Sequence, residues 1–394
     1  MAGVLDGIRV LDFGRYIAGP FCATMLADLG AEVIRVERVD GSEDRYISTV
    51  AEGGEGGTFL QMGRNKLGLT LNPMKPEGRE IVKRLVPTAD VVVANLPGAT
   101  LEAMGIDYAS LKALKPDIVF TMISAFGADG PYRDRVGFDL LGQAMSGAMH
   151  LTGDGVTPTR TNVPYVDYGT ALFAAFGTLA ALMERNKTGR GQMVEASLFS
   201  TGLAFNNNLL IEQGVLERNR TAWGNRGFHH APNDCFATKD GWLVTMVVGR
   251  PLFERWARLM GEAHWLTDPR FETDLDRGNN GHLISERMSA WCAERTTEAA
   301  IAELAEARIP AGPVLTPAQV LADPHVAARK LFKPTDYPGL PRPAPLKETP
   351  VRLSETPGGV RTRPPTLGEH TERILTDLGY SAEEIAALRA KRVV

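Results

Sequence analysis

Cysteine is scarce in this sequence. The three residues, Cys22, Cys235 and Cys292, lie far apart along the chain. An odd, scattered set matches neither a disulfide framework nor the paired spacing of a zinc site. This usage fits a reducing compartment, so we expect a cytoplasmic protein that holds no metal.

Long apolar runs and an excess of charge of one sign are missing too. No apolar run approaches the roughly 20 residues that a membrane-spanning helix needs, and the first ten residues lack the layout of a signal peptide. The chain carries 43 Lys and Arg against 47 Asp and Glu, a formal net charge of −4. This balance argues against an electrostatic nucleic-acid binder. We therefore expect neither a membrane nor a nucleic acid as a partner.

What the chain does have is a regular alternation of strand and helix patterns through about residue 125. The strand patterns lie at 8–13, 31–37, 67–71, 90–95 and 117–124. A strand, helix and strand within about 30 residues predict parallel pairing, and uninterrupted apolar strands predict burial on both faces. We expect a Rossmann-like doubly wound α/β domain, which binds its ligand beyond the carboxyl ends of the strands.

The dinucleotide fingerprint G-x-G-x-x-G is absent from the turn after the first strand. That turn reads G-R-Y-I-A-G-P from Gly14 to Pro20. The second strand does end in an acid, Glu37, as in some nicotinamide-binding units. Without the glycines, this acid gives little support to a nicotinamide oxidoreductase. We expect no nicotinamide or flavin cofactor.

The chain divides into three expected segments. The first is a large α/β domain over 1–200, and the second is a smaller α+β domain over 225–320. A hairpin around 239–241 and helical patterns at 252–262 and 283–307 predict the second domain.

The third segment covers 330–394 and is expected to return to the large domain. Its first part, 330–365, is rich in proline and lacks periodicity. Such a segment is expected to wrap an existing surface rather than to form a core. Two short helices separated by Gly379 are expected at the end.

One carboxylate, Asp167, lies in a polar turn directly before a long apolar helix pattern. The apolar positions that define this helix are Leu172, Phe173, Phe176, Leu179, Ala180 and Met183. The position of Asp167 favours an N-cap, where the helix dipole would keep the carboxylate ionised. The local pattern alone favours a cap over a catalytic residue.

Nine short motifs, taken in order, resemble the class III CoA-transferase family, which includes formyl-CoA and carnitine CoA-transferases and α-methylacyl-CoA racemases. They are G-I-R-V-L-D-F-G-R-Y-I-A-G-P, A-E-V-I-R-V-E, R-N-K-L-G-L-T-L-N, A-N-L-P-G, G-F-D-L-L-G-Q-A-M-S-G, V-D-Y-G, T-G-R-G-Q, I-P-A-G-P-V and L-G-E-H-T. Each motif is weak alone, whereas the ordered set covers nearly the whole chain and is specific.

The resemblance implies a function and a nucleophile. Asp167 matches the aspartate that attacks the acyl-CoA thioester, giving a mixed anhydride and then an aspartyl-CoA thioester that the acceptor acid resolves. Coenzyme A is then a co-substrate, carried in as acyl-CoA, and a carboxylic acid is the other small-molecule partner. A homodimer with interlocked chains is implied as well, and the returning segment 330–394 fits that topology.

The same resemblance places CoA and the acceptor. The residues implied near CoA are Ile17, Ala18, Arg38, Leu71, Asn72, Lys75, Asn95, Leu96, Pro97, Gly137, Phe138 and Asp139. An arginine of some members is Ala103 here, which leaves one phosphate contact open. Arg226, His229 and His230 are implied to line the acceptor pocket, and Arg226 would suit the carboxylate of a dicarboxylic acid.

Two alternatives stay open. The racemase branch pairs its aspartate with the histidine of a G-H-D motif, but here the motif is Gly137-Phe138-Asp139. A phenyl ring cannot carry a proton, which argues against an α-methylacyl-CoA racemase or epimerase. A non-catalytic acyl-CoA-binding homologue is the other alternative, and the retained Asp167 argues against it.

Overall fold

A computed structural model describes residues 3–394, which form two compact units. The first contains the described residues up to Ala148 together with Thr161–Glu217 and Ala328–Val394. The second contains Met149–Arg160 and Arg218–Ala327.

A six-stranded parallel sheet forms the centre of the first unit. Its strands are β1 (Arg9–Asp12), β2 (Glu32–Glu37), β3 (Lys66–Thr70), β4 (Val91–Ala94), β5 (Val119–Ser124) and β6 (Met193–Ser197). The order is β3-β2-β1-β4-β5-β6, so the winding reverses between β1 and β4. The five strands predicted from the sequence are confirmed, as is the parallel α/β arrangement.

Helices cover both faces of this sheet. They are α1 (Ala18–Asp28), α2 (Gly57–Gly63), α3 (Pro76–Leu85), α4 (Gly98–Met104), α5 (Tyr108–Leu114), α6 (Asp139–Met145), α7 (Tyr165–Thr188) and α8 (Leu198–Leu216). All four residues of β4 are buried, because its side chains alternate between two cores. Val91 and Val93 join the core that contains α1 and α7, whereas Val92 and Ala94 join the core that contains α3.

The long helix α7 buries its small side chains. Ala171, Ala174, Ala175, Thr178 and Ala181 are buried, and they allow close packing against α1, β5 and β6. The larger apolar residues Leu172, Phe173, Phe176 and Met183 are exposed. The predicted helix is confirmed, but most of the apolar positions that mark it in the sequence face outward.

By length and composition alone, α7 could cross a membrane. Half of its most apolar window is buried within the protein, and a core helix of a water-soluble domain has the same properties. The expectation that no apolar segment reaches such a length is therefore wrong for α7, but the helix is only weak evidence of a membrane span.

The second unit contains a small antiparallel sheet and six helices. The strands are β7 (Asn233–Ala237), β8 (Trp242–Met246) and β9 (Ala311–Pro313), and the helices are α9 (Arg250–Leu259), α10 (Asp274–Asn279), α11 (Gly281–Ala293), α12 (Thr297–Glu306), α13 (Pro317–Ala322) and α14 (Pro324–Ala328). The hairpin predicted at 239–241 joins β7 to β8. The helical pattern at 283–307 is interrupted where Thr296 caps α12.

The chain then returns to the first unit. This part contains the antiparallel strands β10 (Phe332–Thr335) and β11 (Ala344–Lys347), followed by α15 (Thr371–Asp377) and α16 (Ala382–Ala390). Tyr337, Leu346 and Val360 are buried in a small cluster with Phe59. The proline-rich segment thus covers a surface of the first unit, as expected, and its few apolar residues form a small buried cluster there with α2.

Candidate active site

The loops that follow β1 to β5 border a cleft of about 1240 Å³ within the first unit. The cleft lies where the strand order reverses, the usual ligand position of a doubly wound sheet. Twelve of the residues predicted for the site line it: Ile17, Ala18, Arg38, Leu71, Asn72, Lys75, Asn95, Leu96, Pro97, Gly137, Phe138 and Asp167. Tertiary structure therefore brings together positions that are up to 150 residues apart, from Ile17 to Asp167.

Asn95 fixes the loop after β1. Its side-chain oxygen accepts from the backbone N–H of Arg15 at 2.7 Å, and its side-chain nitrogen donates to the Arg15 carbonyl at 2.9 Å. Gly19 lies so close that a Cβ there would come within 3.0 Å of the Asn95 oxygen. The pairing of both Arg15 backbone groups with one amide holds Ile17 and Ala18 against the cleft.

Glu37 has no place in this site. It is fully buried and forms ion pairs with Arg35 and Arg45. It does not line the cleft. An acid held in this way is not available for a nucleotide ribose, so the structure gives no support to the nicotinamide alternative.

Several basic side chains line the cleft. Arg38 forms an ion pair with Glu43, and Lys75 Nζ donates to the carbonyl of Lys391 at 2.5 Å. Arg392 also lines the cleft, where it forms an ion pair with Asp40. Guanidinium and ammonium groups of this kind can bind phosphates.

Sequence reasoning missed Arg392. It follows α16, far along the chain, and enters the cleft because Val393 and Val394 are buried in the core that also holds Leu71. The backbone N–H of Asn72 donates to the Val393 carbonyl at 2.8 Å. No local pattern in the sequence marks this return, which depends on tertiary packing.

Asp167 is the third residue of α7 and lines the cleft. Only 9% of the residue is exposed. Within residues 3–394, no hydrogen bond or ion pair is made by its carboxylate. A buried carboxylate without a partner is unusual and points to a chemical role.

The prediction that Asp167 caps α7 is wrong. The N-cap position is Pro164, which has no side-chain cap. Asp139 at the start of α6 supplies the missing acceptor: its Oδ1 accepts from the N–H groups of Val166 and Asp167 at 2.9 and 3.1 Å. Asp139 does not line the cleft, unlike its neighbours Gly137 and Phe138.

The expectation that the helix start keeps Asp167 ionised is also wrong. Burial, and then the negative charge of Asp139, raise the pKa of Asp167 from 3.8 to about 7. The backbone N–H groups of Val166 and Asp167 already donate to Asp139, so they are not free to bind an oxyanion. Near neutral pH the Asp167 population is divided between the protonated acid and the carboxylate.

Phe138 occupies the position at which a racemase would need a base. Its ring is 58% exposed, lies in the cleft, and contacts the Tyr16 ring edge to face at 5.2 Å between centroids. This aromatic pair forms an apolar wall without a proton-carrying group. The structure thus gives the racemase alternative no second base at this position.

The predicted acceptor residues lie in the second unit, between α8 and β7. The Arg226 guanidinium lies over the Trp223 ring at 4.6 Å, and the buried Nε of Arg226 has no hydrogen-bond partner among the described residues. His230 Nε2 contacts Asn233 Nδ2 at 3.1 Å, and burial lowers the pKa of His230. The ring of His229 lies against Phe228.

Comparison with known proteins agrees with the fold and the motifs. The model of CoA-transferase family III matches residues 5–371. Two proteins of Chloroflexus aurantiacus are similar over 99% of this chain and 98% of their own length: succinyl-CoA–D-citramalate CoA-transferase at 38% identity and the beta subunit of succinyl-CoA–L-malate CoA-transferase at 34%.

A solved structure of a CAIB/BAIF family protein from Brucella suis is similar as well. It superposes with a TM-score of 0.82 at 32% identity, over 96% of this chain and 100% of that one. It shares the mixed α/β fold with a parallel six-stranded sheet. Because family model and relatives both span nearly the whole sequence, the chain belongs to CoA-transferase family III.

Proposed function

We propose that this chain transfers CoA from an acyl-CoA donor to a carboxylic acid acceptor, with Asp167 as the nucleophile. The observation that carries the proposal is the unpartnered carboxylate of Asp167 in the cleft that also collects the residues implied for CoA. Of these, Arg38 and Lys75 supply cations for the phosphates, and Ile17 and Ala18 flank the pantetheine.

In the first half of the reaction, an ionised Asp167 oxygen attacks the thioester carbonyl and expels the CoA thiolate. The product is a mixed anhydride between Asp167 and the donor acid. The thiolate then attacks the Asp167 carbonyl, releases the donor carboxylate and leaves an aspartyl-CoA thioester. No proton moves in either step, so a carboxylate needs no partner base.

The second half repeats these steps with the acceptor. The acceptor carboxylate attacks the aspartyl-CoA thioester and forms a second anhydride as the thiolate leaves. The thiolate attacks the acceptor carbonyl of that anhydride, which restores the Asp167 carboxylate and gives the new acyl-CoA. A nucleophile with a raised pKa suits this cycle, because a more basic carboxylate attacks more readily once ionised.

Trapping of the intermediate tests this proposal. Incubation with an acyl-CoA donor and no acceptor, followed by hydroxylamine and peptide mass spectrometry, should give a hydroxamate on Asp167. Asp167→Asn should lower kcat by about 10⁴-fold or more, whereas the exposed control Asp377→Asn should keep full activity. Full activity of Asp167→Asn, or an active enzyme without an adduct, would refute the nucleophile.

For the substrates, we propose succinyl-CoA as donor and, as acceptor, a 2-hydroxydicarboxylate with a four-carbon main chain, such as malate or its 2-methyl derivative citramalate. The names of the two Chloroflexus relatives support this, since both pair succinyl-CoA with such an acid. We propose further that Arg226, with His229 and His230, binds the second carboxylate of the acceptor. The aromatic support and unpaired Nε of Arg226 suit a guanidinium that receives an anionic ligand.

A series of acceptor acids tests the proposed acceptor class and the proposed role of Arg226 separately. Malate and citramalate should react with higher kcat/KM than glutarate, which lacks the hydroxyl, and monocarboxylates should react least. Arg226→Ala should raise the acceptor KM by about 10- to 100-fold, the loss of one charge-assisted contact, and should leave the donor KM unchanged. Arg258→Ala, an exposed arginine on α9, is the matched control. An unchanged acceptor KM in Arg226→Ala would remove this residue from the proposal.

We also propose that the protein is an interlocked homodimer. The exposed apolar residues Phe173 and Phe176 on α7, with Ile211 and Val215 on α8, support an interface with a second chain. Sedimentation should give a dimer at all accessible concentrations, and Phe176→Asp should weaken it. A stable monomer would contradict this proposal, and an obligatory second type of subunit would replace it, as the name of one relative suggests.

A further inference from the structure

We propose that Asp139 is the positioning residue of the nucleophile: it holds the first turn of α7 in place and presents a fixed negative charge to Asp167. This inference rests on the proposed role of Asp167. It assigns to Asp139 a function in the reaction without contact with CoA.

Three donors converge on the Asp139 carboxylate. Oδ1 accepts from the N–H groups of Val166 and Asp167, and Oδ2 accepts from Gln143 Nε2 at 2.5 Å. The residue itself is 9% exposed. In each of these contacts the Asp139 carboxylate is the acceptor, so the three hydrogen bonds fix its orientation.

Gln143 is held in one orientation by a further bond. Its Oε1 accepts from the backbone N–H of Thr161 at 3.0 Å, which leaves Nε2 as the group that faces Asp139. A backbone donor before α7, the amide on α6 and the first turn of α7 are thereby linked through Asp139. Because the backbone of Asp167 belongs to this network, the network fixes the position of its side chain.

The two neighbouring acids differ in their contacts. Asp139 accepts three hydrogen bonds, whereas the Asp167 carboxylate accepts none among the described residues. Burial, and then the charge of Asp139, make Asp167 more basic than an ordinary aspartate. Loss of the charge on Asp139 should therefore lower the pKa of Asp167 and make its carboxylate a weaker nucleophile.

Other charged groups near this end of α7 do not replace Asp139. After burial, Asp139 is the one group that shifts the pKa of Asp167. Burial and Asp167 raise the pKa of Tyr168 on α7, and Arg64 lowers it. Burial and Asp139 raise the pKa of Tyr165. On α1, which packs against α7, Asp28 is paired with Arg64. Cys22, the other titratable group on α1, is fully buried and its pKa is raised to about 12 by burial, beside Asp12 and Lys66.

The test is the pH profile of Asp139→Asn in the first half-reaction, measured as single-turnover formation of the acyl-enzyme from succinyl-CoA. No acceptor is present, so its titration does not enter. In the variant, the pH at which the rate of acyl-enzyme formation falls on the acid side should be lower than in the parent by about one unit. The rate on the alkaline plateau should be smaller than that of the parent. The KM for the donor should stay the same.

The double variant Asp139→Asn/Gln143→Glu guards against misfolding. The new amide would oppose Gln143 Nε2, donor against donor, whereas the second substitution offers it an acceptor and still accepts from Thr161. The negative charge then lies at position 143, which does not contact the N–H groups of Val166 and Asp167 directly, so the acid limb should lie between those of the parent and the single variant.

Two outcomes overturn the inference. One is a folded single or double variant whose rate falls on the acid side at the same pH as that of the parent. The other is a uniform fall in rate at every pH without a shift, which would show a structural role only. If Asp167→Asn stays active, the proposed function itself is refuted. If Asp167→Asn is inactive and the limb does not move, only the role of Asp139 is refuted.

Discussion

Two buried carboxylates of the first unit, Glu37 and Asp167, have opposite electrostatic surroundings. Glu37 at the end of β2 is 0% exposed and lies between the guanidinium groups of Arg35 and Arg45. Burial acts to raise its pKa, but Arg35 and Arg45 together hold the pKa of Glu37 below its usual value. Among residues 3–394 no cation pairs with Asp167, and burial, then the charge of Asp139, raise its pKa to about 7.

The comparison shows that burial by itself does not decide the state of an acid. Two guanidinium groups compensate the negative charge of Glu37 in a buried ionic cluster. The charged group that acts on Asp167 is another acid, Asp139, which raises the pKa of Asp167 further. Of these two acids only Asp167 lines the cleft, and a raised pKa in a cleft is typical of a functional site.

The largest effect on stability is expected at Glu37. Glu37→Gln keeps the shape of the side chain but leaves Arg35 and Arg45 buried without their counter-charge. The free energy of unfolding should fall by about 3–5 kcal/mol, measured by denaturant unfolding at pH 7. Because the folded pKa of Glu37 is depressed, this difference is present above its unfolded pKa and is lost as the pH falls through the folded pKa.

Glu32→Gln is the matched control on the same strand. Its partner Arg9 and Glu32 itself are exposed, so the loss should be below about 1 kcal/mol. Equal losses for Glu32 and Glu37 would show that the cationic surroundings of Glu37 do not matter.

The second prediction has the opposite sign. Asp167→Asn removes a buried charge that has no compensation, so the variant should be more stable than the parent by about 2–4 kcal/mol at pH 8. The folded pKa of Asp167 is raised above its unfolded value near 3.8, so the parent loses stability as pH rises through about 7. The advantage of the variant should therefore shrink toward pH 4.

Paired thermal melts of parent and Asp167→Asn at pH 5 and pH 8 measure this difference. Asp377→Asn, on the surface of α15, should show no pH-dependent difference. A loss of stability in Asp167→Asn at pH 8 would mean that Asp167 has an unseen cationic partner and resembles Glu37 after all.

The smallest effect is expected in the activity of the parent enzyme. If ionised Asp167 is the nucleophile, kcat/KM for the acyl-CoA should rise with pH, about tenfold per unit well below pH 7, and level off above pH 8. The pH dependence of the first half-reaction measures this limb. A rate that is already constant from pH 5 upward would show that Asp167 is ionised like Glu37.

Sequence predicted the sheet well because its signals are local. The apolar runs around Val91–Ala94 and Glu32–Glu37 give strands whatever surrounds them, and the intervening helices require parallel pairing. The ordered motifs also placed twelve site residues that the structure brings to one cleft. Arg392 escaped notice, because its position depends on the packing of Val393 and Val394.

The ionisation state of Asp167, the proposed nucleophile, was predicted least well. Local spacing gave Asp167 the place of a cap, with the helix start as its stabilising charge. The contact that overturns this prediction joins residues 28 positions apart: Asp139 accepts from the N–H of Asp167, and its negative charge raises the pKa of Asp167. The local sequence around either residue does not indicate this contact.

The sequence by itself determined the family, the parallel α/β sheet and the carboxylate on which the chemistry is proposed to depend, because each is written in local periodicity or in ordered motifs. Only the tertiary structure decided how that carboxylate behaves. Its pKa depends on burial and on the acid beside it, and both arise when α6 and α7 pack together. A pKa is a property of the surroundings of a group, and those surroundings exist only in the folded chain.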